Sequence, residues 1–302
     1  MKIAVSGASG LIGDALLPAL RADGHEVLQL VRRTPRRADE HRWDPQHRRI
    51  DDALLSDVDA VINLAGTPIR PRPFTSGYKA QLVASRLDAT TTICEAMAAA
   101  AAADRGRRRV LLSASAVGYY GDTGARTVTE QDPAGTDFVA QLCAQWEAAT
   151  APAEAAGVRV AHLRTGLVLD RSAILMQVMG TIFRLGLGGR MGNGRQYWPW
   201  ISLADEIGAI RHLLTADLSG PVNLTGPEPV TNADFTAELG RQVHRPTKLP
   251  VPSFAVKLAL GEFGRSGVIG GQRALPVRLQ ESGYEFTHPD LPSALRAAIS
   301  PS

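Results

Sequence analysis

Residues 2–13 read K-I-A-V-S-G-A-S-G-L-I-G, and a helical pattern, L-I-G-D-A-L-L-P-A-L-R-A-D-G, runs on from Leu11 to Gly24. A short apolar run, three glycines spaced three apart and a helix make up the first half of a β-α-β unit. In that context each glycine has a job. Gly7 permits the tight turn, Gly10 lets the backbone approach a pyrophosphate, and Gly13 allows close packing of helix on strand. The helix N-terminus then faces the phosphates with unclaimed N–H groups. The same glycines outside a strand–turn–helix frame would be only a structural turn.

Working outward, apolar runs keep alternating with helical patterns: H-E-V-L-Q-L-V, D-A-V-I-N-L-A-G, an alanine-rich helix around 82–103, R-V-L-L-S-A-S, a helix at 137–156, and V-R-V-A-H-L-R-T. This alternation predicts an α/β chain with a Rossmann-type, doubly wound parallel sheet. After about residue 172 glycine and proline punctuation takes over. The alternation returns once, in a helix from Leu203 to Leu214 and the strand P-V-N-L-T at 221–225. A dinucleotide-binding domain is therefore expected from 1–172 plus about 203–228. A smaller C-terminal substrate lobe is expected from about 173–202 plus 229–302, with a small strand near Gly283 to Phe286.

Composition excludes several classes. The net charge of +3 over 302 residues gives no general attraction to nucleic acid or membrane. No run approaches the ~18 apolar residues of a spanning helix, and Ile3–Val5 is too short for an export signal. The two cysteines, Cys94 and Cys143, sit far apart in helical patterns and are expected as thiols of a cytoplasmic protein. His41 and His47 lack cysteine partners, and no G-x-S-x-G elbow or Walker loop is present. R-G-R-R-R at 105–109 reads as a solvated connection.

The second strand ends at Arg32-Arg33, where an NAD-preferring site places an acid for the ribose hydroxyls. A guanidinium there favours a 2′-phosphate, through charge-assisted hydrogen bonds of about 1.5–3 kcal/mol. NADP(H) is the expected cofactor. N-L-A-G at 63–66 brings Leu64, Ala65 and Gly66 past the adenosine, and S-A-S-A-V-G-Y-Y-G at 113–121 turns hydroxyls toward a nicotinamide.

With these motifs in order, the chain resembles the extended short-chain dehydrogenase/reductases. More narrowly, it resembles an atypical subgroup, the epimerase family, whose C-terminal segment is a domain of unknown function. L-R-T-G-L-V-L at 163–169, F-R-L-G-L-G-G at 183–189, G-N-G-R-Q-Y-W-P-W-I at 192–201 and G-G-Q-R-A-L-P-V-R-L at 270–279 carry the likeness toward the C-terminus. The resemblance implies Ser9, Gly10, Leu11 and Ile12 at the pyrophosphate, Arg32 at the adenosine phosphate, Arg86 near the cofactor and Gly166 beside the nicotinamide. It also implies Ser115 as the active-site serine and Glu130 in a loop bordering substrate. An Arg-Trp pair expected before Lys79 appears instead as Arg72-Pro73-Phe74.

One part is missing. Ordinary members of the superfamily transfer a proton through a tyrosine whose pKa is lowered by a lysine four residues on. No tyrosine here has that partner, and the chain has only four lysines. Aligned on Glu147, Val139 and Cys143 stand in the tyrosine and lysine places. Ionising an unassisted phenol of pKa ~10 at pH 7 costs about 4 kcal/mol, a rate factor of about a thousand. The remaining candidates for proton work are Ser115, Tyr119 and Tyr120; Cys143 reads as a packing residue. In R-Q-Y-W-P-W-I at 195–201, Arg195 suits a substrate phosphate or carboxylate, while Trp198 and Trp200 either stack on a substrate ring or pin the lobe to the sheet.

Two functions are compatible with these residues. One is an NADP(H)-dependent oxidoreductase or epimerase acting on a small polar, sugar-like substrate. The other is a non-catalytic NADP(H)-binding sensor. Analogy with the superfamily adds a homodimer.

Overall fold

The computed structural model describes residues 1–70, 72–254, 258, 261 and 269–299. In order, the first part of the chain forms β1 (Lys2–Ser6), α1 (Leu11–Ala22), β2 (Glu26–Val31), β3 (Glu40–Arg42), α2 (Asp52–Ser56), β4 (Ala60–Asn63), α3 (Ser76–Ala103) and β5 (Val110–Ala116). The middle forms β6 (Thr127–Val128), α4 (Phe138–Ala148), α5 (Ala151–Ala155), β7 (Arg159–Thr165), β8 (Leu167–Leu169) and α6 (Ile174–Arg184). Then come β9 (Tyr197–Trp198), β10 (Trp200–Ser202), α7 (Leu203–Thr215), β11 (Gly220–Leu224), β12 (Val230–Thr231), α8 (Asn232–Gln242) and β13 (Arg273–Ala274), with helices over Val277–Glu281 and Leu291–Ile299.

Seven strands pair in the order β11-β7-β5-β4-β1-β2-β3, every pair parallel. The apolar strands carry no polar alternation because both faces are covered: Ile3, Ala4, Val5, Val61, Ile62 and Leu112 are fully buried. One face packs under α1 and α7 through Leu16, Leu20, Ile210 and Leu213. The other packs under α2, α3 and α5 through Leu55, Ile93, Met97 and Ala153. Chain order reverses between β1 and β4, which opens a crevice at the carboxyl ends of those strands.

Several helices start where short polar side chains satisfy their first N–H groups. Thr75 accepts from the Tyr78 amide, Asp137 from Ala140 and Ser202 from Asp205, and Thr231 and Asp234 form a capping box. Other helices start without such a cap: α1, α5, α6 and the helix over Val277–Glu281 have none, and the N-cap of α1 is Gly10. The helix predicted over 137–156 divides into α4 and α5. Pro152, with no N–H, sits in the first turn of α5, and Thr150 bonds back to the Glu147 carbonyl.

A third core joins α6, α8 and Leu291–Ile299 through Met176, Phe183, Trp198, Trp200, Phe235 and Leu295. Residues 273–288, between α8 and that last helix, do not stay with this lobe. β13 pairs with β6, and Leu279, Tyr284 and Phe286 pack on the α1–α7 side of the sheet. No strand forms at Gly283–Phe286. That stretch is instead held by buried Asp205, which accepts from the amides of Thr287 (2.6 Å) and His288 (3.0 Å) while Tyr284 donates to its carboxylate at 3.2 Å.

Glu206, in the first turn of α7, is fully buried; among the described residues its carboxyl meets only the Thr165 hydroxyl, at 2.8 Å, with Oε2 unpartnered. Burial pushes its carboxyl up to about 8, opposed by the Thr165 hydrogen bond. A carboxyl with a raised folded-state pKa stays protonated while its unfolded counterpart ionises. Its stability penalty therefore grows from the unfolded value upward and levels off above about pH 8. Glu206→Gln, which still accepts from Thr165, is expected to stabilise the fold by on the order of 3 kcal/mol at pH 7, with the gain vanishing below about pH 4.5. Thermal or denaturant unfolding of both forms across pH 4–9 tests this, and a gain independent of pH contradicts it.

Candidate functional site

The carboxyl ends of β1 and β4 pair beside the turn into α1. Gly7 turns with φ +70°, and an added methyl group there would run into the Leu64 carbonyl; at Gly13 one would strike the Gly7 carbonyl and the Ala8 backbone. Both glycines are thus demanded by close backbone approach. Gly10 differs: a methyl group would meet only the Gly7 carbonyl, at 3.3 Å, so its outer face is open. Ser9 and Gly10 are exposed, and Leu11 and Ile12 are half-buried. With no side-chain cap on α1, this turn presents backbone donors and the positive end of a helix to an anion.

Beyond the cradle, the two arginines named from the sequence part ways. Arg33 forks onto buried Glu40 with both hydrogen bonds at 2.7 Å, and the Arg36 amide donates to the same carboxylate at 2.6 Å. Those donors hold the Glu40 carboxyl down at about 2. Arg32 is exposed and has no partner among the described residues, so its guanidinium is free to meet an anion. On the other side, half-buried Leu64 and Ala65 and exposed Gly66 continue from β4, whose last residue, Asn63, accepts from Ser6 at 2.7 Å.

Arg86 projects from α3 and is 7% exposed. It donates to the carbonyls of Thr67 and Leu82 at 3.2 Å and lies 4.9 Å from the Trp146 ring centre. Burial lowers its pKa, and among the described residues no carboxylate pairs with it. A buried cation without a counter-charge fits an anionic ligand. Open cradle, free Arg32 and uncompensated Arg86 together suit a dinucleotide phosphate.

At the end of β5, Ser115 donates to Glu147 at 2.6 Å. Arg164, 2% exposed on β7, grips the same carboxylate with two hydrogen bonds of 2.8 Å. Burial works against its charge, but the bonds to Glu147 outweigh it and raise the guanidinium above its ordinary pKa. Arg164 also lies 3.5 Å over the ring of half-buried Tyr119 and donates to Tyr120 at 2.9 Å. Tyr120 in turn donates to Asn223 at 2.7 Å. Burial pushes the Tyr120 phenol up to about 12, so it holds Arg164 in place and does not ionise at neutral pH. Behind Glu147, His162 Nε2 is 2.9 Å from Thr150, with Nδ1 unpartnered 3.9 Å from Glu147.

Cys143, in the lysine place, is buried, and its thiol is pushed up to about 12 by that burial. Val139, in the tyrosine place, packs so tightly that a methyl group on Gly118 would come within 2.6 Å of it. The site therefore has an apolar wall where the superfamily has its proton donor. Gly166 is pressed against the Pro199 carbonyl and Thr225, and its amide donates to the Leu224 carbonyl at 2.9 Å.

The residues assigned to substrate separate. Arg195 is exposed at a loop tip, and its guanidinium has no partner among the described residues. Trp198 packs on Phe235 with ring centres 5.1 Å apart. Trp200, 1% exposed, is covered by Gly226 and donates to the Glu228 carbonyl at 3.1 Å. Both indoles are buried in the third core. Glu130 is buried too, accepting from the amides of Asn223 (3.0 Å) and Arg278 (3.3 Å), which fastens the returning C-terminal segment to β11. It does not border an open cleft. Burial raises its pKa. Arg164 and Asn223 were not singled out from the sequence, although a charged residue inside an apolar parallel strand, H-L-R-T, is itself a signal of a buried polar network.

Comparison with known proteins agrees with this architecture. The profile of the NAD dependent epimerase/dehydratase family matches residues 3–224, and that of a domain of unknown function, DUF1731, matches 251–298. Epimerase family protein ML0860 of Mycobacterium leprae is 48% identical over 299 residues, covering 99% of this chain and 95% of the relative. The crystal structure of human epimerase family protein SDR39U1 with NADPH superposes with a TM-score of 0.84 at 30% identity, covering 99% of each chain. A nucleoside-diphosphate sugar epimerase from Corynebacterium glutamicum gives 0.80 at 32% identity, covering 99% of this chain and 58% of that one. With its glycine cradle, parallel sheet and matching C-terminal domain, this chain belongs to the NAD dependent epimerase/dehydratase family.

Proposed function

We propose that this protein is an NADP(H)-dependent oxidoreductase or epimerase acting on a small polar, sugar-like substrate, with Ser115 and Glu147 in place of the tyrosine–lysine pair. The observation that carries the cofactor choice is the contrast at the end of β2. Arg33 is neutralised by Glu40 whereas Arg32 stands unpaired where a 2′-phosphate would lie. The NADPH in the human relative's crystal structure supports the same choice. Ser9, Gly10, Leu11 and Ile12 would hold the pyrophosphate, Leu64, Ala65 and Gly66 the adenosine, and Arg86 a buried anionic or ribose oxygen. When bound, the nicotinamide supplies or accepts the hydride.

The chain's own residues do the remaining work. Ser115 holds a substrate hydroxyl or carbonyl oxygen and relays its proton to or from Glu147, whose orientation is set by the Arg164 fork. Tyr119, stacked on Arg164, is the hydroxyl nearest to serve as an alternative donor, while Tyr120 anchors the guanidinium. Gly166 shapes the turn beside the nicotinamide, and Arg195 supplies a cation for a substrate phosphate or carboxylate. A non-catalytic, cofactor-sensing role is favoured by one observation, the apolar Val139–Cys143 wall where proton transfer would ordinarily occur.

Calorimetric titration is expected to show NADPH binding well ahead of NADH. Arg32→Ala should weaken NADPH by roughly 10- to 100-fold with little effect on NADH. Equal affinities in the wild type, or an unchanged preference in Arg32→Asp, refute the choice of cofactor.

In hydride-transfer assays across carbonyl and sugar-nucleotide panels, Ser115→Ala and Glu147→Gln should each lower kcat by about 10²- to 10⁴-fold while NADPH affinity stays within a few-fold. Turnover indifferent to both substitutions eliminates these roles. NADPH binding with no turnover in the wild type leaves the sensing role instead.

Removing one partner of the buried Arg164–Glu147 pair should cost about 3–5 kcal/mol of stability in Arg164→Met, read from denaturant unfolding. A loss below about 1 kcal/mol, the range of a surface ion pair, would show that the pair is not buried in solution.

A further inference from the structure

α6 is apolar on both of its long faces. Met176, Met179 and Phe183 face the third core, but Ile174, Val178 and Ile182, spaced four apart, form a second stripe that is 41–49% exposed. Gln177, Thr181 and Arg184 share its exposed side, and an amphipathic helix ordinarily turns its apolar residues to a single core. The stripe runs on through Leu185 (69% exposed) and Leu187 (56%), and the Leu187 amide is tied to the Ile182 carbonyl at 3.1 Å. The strand-like contact of Gly189 with Lys248 then brings in exposed Leu249, and Phe254 follows at 71% exposed.

Charge is distributed just as unevenly. Residues 171–204 and 239–261 hold eight of the chain's 33 lysines and arginines and none of its 30 acids, leaving 25 cations against 30 acids elsewhere. Arg241 is paired with Glu238, and Lys257 lies outside the described residues. Arg184, Arg190, Arg245 and Lys248 are exposed and have no carboxylate partner among the described residues, and Arg245 Nε donates to the Arg184 carbonyl at 2.9 Å, which joins the two segments. The modest overall charge of +3 thus conceals a cationic, aliphatic surface on the small lobe.

We propose that this surface docks on an anionic lipid bilayer, with the stripe of α6 and the leucines beside it entering the headgroup boundary and the arginines and Lys248 meeting lipid phosphates. A second copy of the chain fits poorly, because two-fold contact would set the same cations against each other. The aliphatic side chains project outward from a helix rather than line a groove, the shape of an interfacial anchor and not of a peptide-binding cleft. No described helix is long and apolar enough to cross a membrane, so contact is peripheral.

The test is co-sedimentation of the full chain with vesicles of phosphatidylcholine alone or containing about 30% phosphatidylglycerol, at about 0.1 M and 1 M salt. The bound fraction should be at least ~10-fold greater on the anionic vesicles and should fall at high salt. Val178→Asp/Ile182→Asp and Arg184→Glu/Arg245→Glu should each abolish it while leaving the melting temperature and NADPH affinity unchanged, which separates loss of docking from loss of fold or cofactor site. Wild-type protein that stays unbound at low salt, binds neutral vesicles equally well, or binds undiminished in either double variant overturns the proposal. An acidic protein partner on this face would give the first of those results.

Discussion

A guanidinium buried beneath the carboxyl ends of two parallel strands has to be neutralised where it stands. Arg164 meets that requirement with a two-pronged bond to Glu147, a stacking contact with Tyr119 and a hydrogen bond to Tyr120. Taking these charges out of water costs several kcal/mol per ion, repaid only when every donor and lone pair finds a partner. The pair therefore dictates its surroundings. It fixes α4 against β7, orients the carboxylate that Ser115 addresses, and ties β5 to β11 through Tyr120 and Asn223.

The site's other arginines differ in whether the protein itself neutralises them. Arg33 and Arg164 are matched by Glu40 and Glu147, whereas Arg32 and Arg86 are left without a carboxylate among the described residues. Compensated cations position the backbone and the acid. Uncompensated ones, like the uncapped α1 N-terminus, leave positive charge suited to an anionic dinucleotide.

Where the superfamily relies on a tyrosine and lysine one helical turn apart, α4 presents Val139 and Cys143. A buried thiol, pushed up to about 12 by that burial, packs there. The hydroxyls that remain at this centre are those of Ser115, bonded to Glu147, and of Tyr119 and Tyr120 beside Arg164. In the small lobe Trp198 and Trp200 are packed into the interior, while Arg195 is exposed on a loop.

The sequence by itself determined the parallel sheet, the glycine cradle and the absence of a tyrosine–lysine pair, because each is written in local spacing: unbroken apolar runs, glycines three apart, side chains four apart. Tertiary structure alone decided which of Arg32 and Arg33 is free, that Glu130, Trp198 and Trp200 are interior, and that residues 273–288 return to the first domain. It also decided that Arg164 lies at the centre of the site. Those outcomes depend on what a side chain meets across tens or hundreds of residues, as Tyr120 meets Asn223 and Glu130 meets the Arg278 amide. Burial and pairing of charge belong to the folded neighbourhood, and no local period encodes them.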